Sequence, residues 1–246
     1  MIEVRDLRKQ FGEVKAVDGV SFTAKSGAIT GLLGPNGAGK TTAIRMIGTL
    51  IAMDGGVARI DDIDVSRDPD GARRACGMLT DSRGVYTRMT ARENIRYYAE
   101  LRGMNIAHTE RVLARFADWL DMTSILDRRT DGFSQGERMK VAITRALIHE
   151  PGNVILDEPT NGLDVMSTRA LRELVKRLRA EGRTVMFSSH VMQEVAALCD
   201  EIIIIARGRV TAQGTTDQLL AMSNRDNLED AFIVLAEMHE PQTEVA

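Results

Sequence analysis

Gly34-Pro35-Asn36-Gly37-Ala38-Gly39-Lys40-Thr41-Thr42 is a glycine-rich segment ending in a lysine and two hydroxyls, a residue set suited to wrapping phosphate. Glycines let backbone N–H groups approach anionic oxygens, and a helix that follows adds its dipole. In this pattern Lys40 pairs with β- and γ-phosphates, and the Thr41 hydroxyl is an oxygen ligand for Mg²⁺. Farther along, Asp157 and Glu158 follow the apolar run Val154-Ile155-Leu156. Neighbouring side chains on a strand point to opposite faces, so the two acids can divide the work. Asp157 suits the Mg²⁺ shell, directly or through water, while Glu158 can orient and deprotonate an attacking water. His190 follows Val185 to Phe187 and two serines, where it can hydrogen-bond a γ-phosphate. Each segment has a plain alternative: a glycine turn with an exposed lysine, solvated acids at a strand end, a structural histidine. Their order along one chain favours the joint reading, the parts needed to bind and cleave a nucleoside triphosphate.

Such residues require elements to hold them. Residues 1 to about 30 alternate apolar and polar positions, with turns expected at Gly12, Gly19 and Gly27, which predicts a small antiparallel sheet. Ile29 to Leu33, the glycine-rich segment and Ala43 to Leu50 read as strand, loop and helix. Between about 82 and 150 the pattern is helical. Thr90 and Glu93 have the spacing of a capping box, and Val112, Leu113, Phe116, Trp119 and Leu120 lay one apolar stripe along a helix. From Asn153 strands and helices alternate again. Ile202 to Ile205 are four consecutive isoleucines, as expected of a parallel strand covered on both faces. The predicted fold class is α/β with an inserted helical subdomain.

The chain has 246 residues and a formal charge of −3, which gives no electrostatic reason to expect a nucleic-acid partner. The basic residues from Arg169 to Arg179 are expected to form a solvated helix face. Two cysteines, Cys76 and Cys199, lack metal-ligand spacing and read as small buried hydrophobes of a reducing compartment. No run approaches the ~20 apolar residues of a membrane-spanning helix, so the expectation is a cytoplasmic protein. Glu240 to Ala246 read as a frayed polar tail.

Phe133-Ser134-Gln135-Gly136-Glu137, about twenty residues before Asp157-Glu158, resembles the signature segment of ABC transporter ATPases, and Asn161-Gly162-Leu163-Asp164 with His190 resembles that family's D-loop and switch histidine. The resemblance covers nearly the whole chain. It implies a P-loop NTPase (RecA-like) core with an N-terminal antiparallel β subdomain and an inserted α-helical subdomain. The expected divisions are 1–81 (β subdomain and first part of the core), 82–150 (helical), 151–215 (second part of the core) and 216–246 (C-terminal helical extension). It further implies that Phe11 stacks on adenine, although a core aromatic remains the alternative, that Gly34 to Thr42 cradle the phosphates of ATP, that Ser134 and Gly136 address the γ-phosphate of the opposite subunit alongside Asp164, and that Glu158 and His190 are catalytic.

The chain departs from that family in two places. Gly is usual where Gln135 stands and Gln where Glu137 stands, and Ser134 with Glu137 also has capping-box spacing. Asp81 occupies the usual place of a glutamine that contacts Mg²⁺; it either coordinates the ion or caps a loop. Finer resemblance, in Asp81 to Tyr86, Thr90 to Asn94 and Asn227 to Phe232, is to exporters with a separate ABC-2 type permease, and within them to sodium-extrusion (NatA-type) subunits. The implied partners are that integral membrane permease, met near Val85, Tyr86 and Thr87, and a second ATPase subunit, identical or not, in an ATP sandwich on the cytoplasmic face of the membrane. The competing class is a non-transport ABC ATPase that acts as a nucleotide-gated assembly or regulatory factor.

Overall fold

A computed structural model describes residues 1–80 and 84–237. Asp81, the candidate metal ligand, and the 240–246 tail lie outside the described residues. Strands β1 (Ile2–Phe11) and β2 (Val14–Ala24) form an antiparallel hairpin, and β4 (Gly55–Ile60) and β5 (Ile63–Asp64) extend it in the order β2-β1-β4-β5. The turn expected at Gly19 is not one, because β2 runs through it. Leu7 faces Val20 while Arg8 faces Asp18, so Gly19 is the extra residue of a bulge, at φ 84°.

The second sheet carries the chemistry. Its order is β10 (Arg209–Gly214), β9 (Glu201–Ala206), β3 (Ile29–Leu33), β8 (Thr184–Ser189), β7 (Asn153–Leu156) and β6 (Cys76–Leu79). All are parallel except the edge strand β10. Alternate residues enter separate cores. Ile203, Ile205, Ile155 and Met186 pack with α1 (Lys40–Ile47) and the antiparallel sheet. Ile202, Ile204, Val154, Leu156 and Phe187 pack toward the helices on the other face. Burial on both faces is why the isoleucine run lacks alternation, as expected.

The inserted helices are α3 (Ala91–Leu101), α4 (Ile106–Trp119) and α5 (Gln135–Leu147), following α2 (Pro69–Ala75) of the first part of the chain. Thr90 and Glu93 close the expected capping box, the Thr90 hydroxyl accepting the Glu93 N–H and the Glu93 carboxylate accepting the Thr90 N–H. Such caps are worth about 1 kcal/mol. Trp119 joins the helices to the core as expected, packing edge-on to Phe116 at 5.4 Å. It is also flanked by the guanidinium groups of Arg115 and Arg177, the latter on α6 (Val165–Ala180). The α6 basic stretch is therefore not simply solvated: Arg177 covers Trp119 and Arg172 approaches Glu194.

The chain then runs through α7 (Met192–Leu198), α8 (Thr216–Ser223) and α9 (Leu228–Glu237). Cys76 is buried, which pushes its thiol up to about 12, and Cys199 is raised for the same reason although it is only partly covered.

His149, just beyond α5, supplies a pH dependence. Burial, reinforced by the Arg102 guanidinium, pushes its imidazole down from the ordinary 6.5 to about 4. Between those values the unfolded chain binds a proton that the folded chain does not, so this residue's contribution to stability falls as pH drops through that window. The expected result is that His149→Gln flattens the decline of melting temperature between pH 6.5 and 4. An unchanged slope in thermal unfolding across that range refutes the assignment.

Candidate functional site

The strand order β3-β8-β7 brings three carboxyl ends side by side, Leu33 opposite Ser189 and Leu156 opposite Phe187. That edge of an open parallel sheet is where ligands gather. From β3 the glycine-rich loop runs into α1. Gly34 lies so close to β9 that a Cβ there would sit 2.2 Å from the Ile205 carbonyl oxygen. Gly39 has φ 103° and would place a Cβ 2.4 Å from the Ala16 oxygen, so both positions demand glycine. The Ala38 carbonyl accepts the Gly208 N–H at 2.9 Å, which fixes the loop to the β9–β10 turn. A cavity of about 170 Å³ is lined by Ala16, Asn36 to Thr42 and Glu158.

Lys40 is 5% exposed, and its ammonium donates to the Gly34 and Pro35 carbonyls at 2.7 and 3.1 Å and lies 3.3 Å from Glu158 Oε1. The other Glu158 oxygen meets His190 Nδ1 at 2.9 Å. Glu158 has φ 45°, a left-handed conformation of the strained kind that collects at functional sites. It is held there by its N–H, which donates to Ser188 Oγ at 2.8 Å. Ser188 Oγ in turn donates to Asp157 Oδ1 at 2.6 Å, and Thr41 Oγ1 donates to the same oxygen at 3.1 Å. Lys40, Thr41, Asp157, Glu158 and His190, spread over 150 residues of sequence, thus meet at one sheet edge.

The donor set fits Mg²⁺. Thr41 and Asp157 present hard oxygens beside the phosphate loop, and among the described residues no cluster of three or more His, Cys, Asp or Glu could hold a metal unaided. An ion held by one carboxylate and one hydroxyl, completed by water and phosphate oxygens, is the Mg²⁺ pattern.

The remaining sequence-derived residues form other groups. Phe11 ends β1 and is 51% exposed, with the Lys9 ammonium 5.5 Å from its ring centroid, so it is not a core aromatic. Ser134 caps α5 and Asp164 caps α6. The two helix starts interlock: a Cβ on Gly136 would meet Ser167 Oγ, and Gln135 lies over Gly162 while its amide donates to the Asn161 carbonyl at 3.2 Å. Gln135 stands at the first position of α5 with no positive φ, so the glycine usual there is not required by this backbone. Glu137 accepts the Ser134 N–H at 2.9 Å while Ser134 Oγ accepts the Glu137 N–H, which leaves the hydroxyl hydrogen of Ser134 for another acceptor. The Ser134 N–H holds the Glu137 carboxyl below the usual range, and Arg128 pairs with it at 3.0 Å. Sequence reasoning missed Ser188 as the pin between the two acids; its one signal was a polar residue closing an apolar strand.

The loop, its paired acids and the RecA-like sheet define a P-loop NTPase. The chain also matches the family model described as ABC transporter over residues 17–161. It belongs to the ATP-binding subunits of ABC transporters, and its enzymatic class is ATPase. It is 40% identical to the ABC transporter ATP-binding protein NatA of Bacillus subtilis, over 95% of this chain and 97% of that one. It is 33% identical to the linearmycin resistance ATP-binding protein LnrL of the same organism, over 93% and 73%. Among solved structures, an ATP-binding subunit of an ABC transporter superposes with a TM-score of 0.88 at 29% identity, covering 96% of this chain and 99% of that one. Among the described residues no helix is long and apolar enough to cross a membrane.

Proposed function

We propose that the chain hydrolyses Mg-ATP as one half of a head-to-tail pair and so drives a separate exporter-type permease of the ABC-2 kind. The observation that carries this is Glu158, suspended between Lys40 and His190 at the mouth of the phosphate loop. In this reading the loop N–H groups and Lys40 bind the β- and γ-phosphates, and Phe11 stacks on the base. Mg²⁺, held by Thr41 and Asp157, supplies charge neutralisation to the phosphates. Glu158 takes a proton from the attacking water, and His190 orients the γ-phosphate and fixes the Glu158 carboxylate. Ser134 and Gly136 complete the site of the opposite subunit. Val165 and Met166, 84% and 71% exposed beside Asp164, give that face an apolar contact for a second copy.

A groove of about 230 Å³ supports a permease contact. It lies between Ile47, Leu50 and Met78 on one side and Tyr98 and Arg145 on the other. Arg145 stacks on Tyr98 at 4.2 Å and donates to the Gly84 carbonyl, and Arg102 donates to the Arg73 carbonyl. Among the described residues neither arginine pairs with a carboxylate, and burial lowers Arg102 below its ordinary value. An apolar trough with two such cations suits a partner helix that carries an acid. The expected result is that Arg102→Glu with Arg145→Glu abolishes stimulation by the co-expressed permease in liposomes and leaves basal ATPase within twofold. Full stimulation of that variant rules the groove out. Sodium as the cargo is the narrower reading, supported only by the resemblance of Asp81–Tyr86, Thr90–Asn94 and Asn227–Phe232 to sodium-extrusion subunits. It is tested by ²²Na⁺ efflux from liposomes that hold the reconstituted pair, and flux no greater than with Glu158→Gln removes it.

A further inference from the structure

Two loops converge on the reacting pair, and both are tied to one buried side chain outside it. Glu194, on α7, is 7% exposed. Its Oε2 accepts the Thr160 hydroxyl at 2.6 Å and the Ser189 hydroxyl at 3.3 Å. Its Oε1 lies 3.7 Å from the Arg172 guanidinium of α6. Ser189 Oγ also accepts the Val191 N–H at 3.0 Å, so the network fixes the backbone on both sides of His190. Thr160 stands two residues after Glu158, in the segment where the Asn161 N–H returns to the Glu158 carbonyl at 3.2 Å. Glu194 therefore grips the loop that carries Glu158 and the loop that carries His190, each within two residues of the reacting side chain.

We propose that Glu194 is a positioning residue that sets the separation of Glu158 and His190, and hence the rate of the hydrolytic step. The inference rests on the reading of those two as the hydrolytic pair. A carboxyl group suits the task because one oxygen can accept two hydroxyl donors while the other faces Arg172. Releasing it lets the two loops drift apart, and small misplacements of reacting groups slow turnover strongly while substrate binding survives. The phosphate loop, which provides that binding, has no bond to Glu194.

The test is steady-state Mg-ATP hydrolysis by Glu194→Ala, Glu194→Gln, Thr160→Val and the Glu194→Ala/Thr160→Val double variant, with melting temperatures. The expected result is a kcat about tenfold lower for Glu194→Ala and Thr160→Val, KM within about twofold, and a double variant no worse than the poorer single one. Glu194→Gln, whose amide oxygen still accepts both hydroxyls, is expected to recover most of kcat. Thr160→Val carries the test if Glu194→Ala does not fold. An unchanged kcat in Thr160→Val, additive losses in the double variant, or losses confined to KM overturn the proposal. Wild-type turnover by Glu158→Gln instead overturns the hydrolytic-pair reading, and the positioning role with it.

Discussion

Glu158→Gln is expected to keep ATP binding, lose at least about a hundredfold in turnover, and accumulate as an ATP-bound dimer. General-base catalysis contributes roughly 10²–10⁴ to such steps, and an amide cannot take the proton. Binding should survive because the amide oxygen can still face Lys40, and the loop donors and Lys40 are untouched. Dimer accumulation follows if two copies enclose ATP and only hydrolysis releases them. The substitution also removes a negative charge 3.3 Å from the Lys40 ammonium, where the γ-phosphate is to be received. The measurement is phosphate release together with light scattering on a sizing column, with and without Mg-ATP. Rapid turnover would assign the base elsewhere. A monomer under both conditions would mean that the Gln135 and Glu137 signature does not complete a partner's site.

Lys40→Ala is expected to weaken ATP by roughly 10- to 100-fold and to bring hydrolysis to background. A hydrogen bond to a charged group is worth about 1.5–3 kcal/mol, which sets the binding range. Turnover suffers more because the ammonium orders both sides of the site, bridging the Gly34 and Pro35 carbonyls of the loop to the Glu158 carboxylate. Its loss leaves Glu158 with the His190 contact and without its cation. Arginine should not restore function, since a planar fork cannot replace a compact ammonium in a pocket closed around it. Fluorescent-nucleotide titration with a melting temperature as fold control checks this, and unchanged affinity in folded Lys40→Ala contradicts the role given to it.

These effects bear on both subunits of the proposed pair. Each phosphate loop would face the Ser134 and Gly136 end of the other copy, so a defect in one chain reduces turnover at a composite site. The Gln135 contact with Asn161 ties that end to the segment beginning at Glu158 within each copy.

Much of the architecture was legible because it is local. The phosphate loop is nine contiguous residues legible from their types and spacing, although the close approaches that demand Gly34 and Gly39 come from Ile205 and Ala16, far off in sequence. Capping boxes at Thr90 and Ser134 are four-residue patterns, and both formed. The isoleucine run reported burial on two faces because strand periodicity encodes burial directly. Sequence therefore determined the element types where periodicity or capping marked them, the phosphate-loop chemistry and the order of the parts, while β4, β5, α2 and β6 went unpredicted. Periodicity records that a residue is buried, though not which distant residue it meets. Only the strand order β3-β8-β7 decided that Ser188 would stand between Asp157 and Glu158 and that Glu194 would reach Thr160 across 34 positions, and only the β1–β2 register made Gly19 a bulge instead of a turn. Such contacts depend on how far-separated strands pair and in what register, and that is settled by the burial of the whole sheet between its two cores.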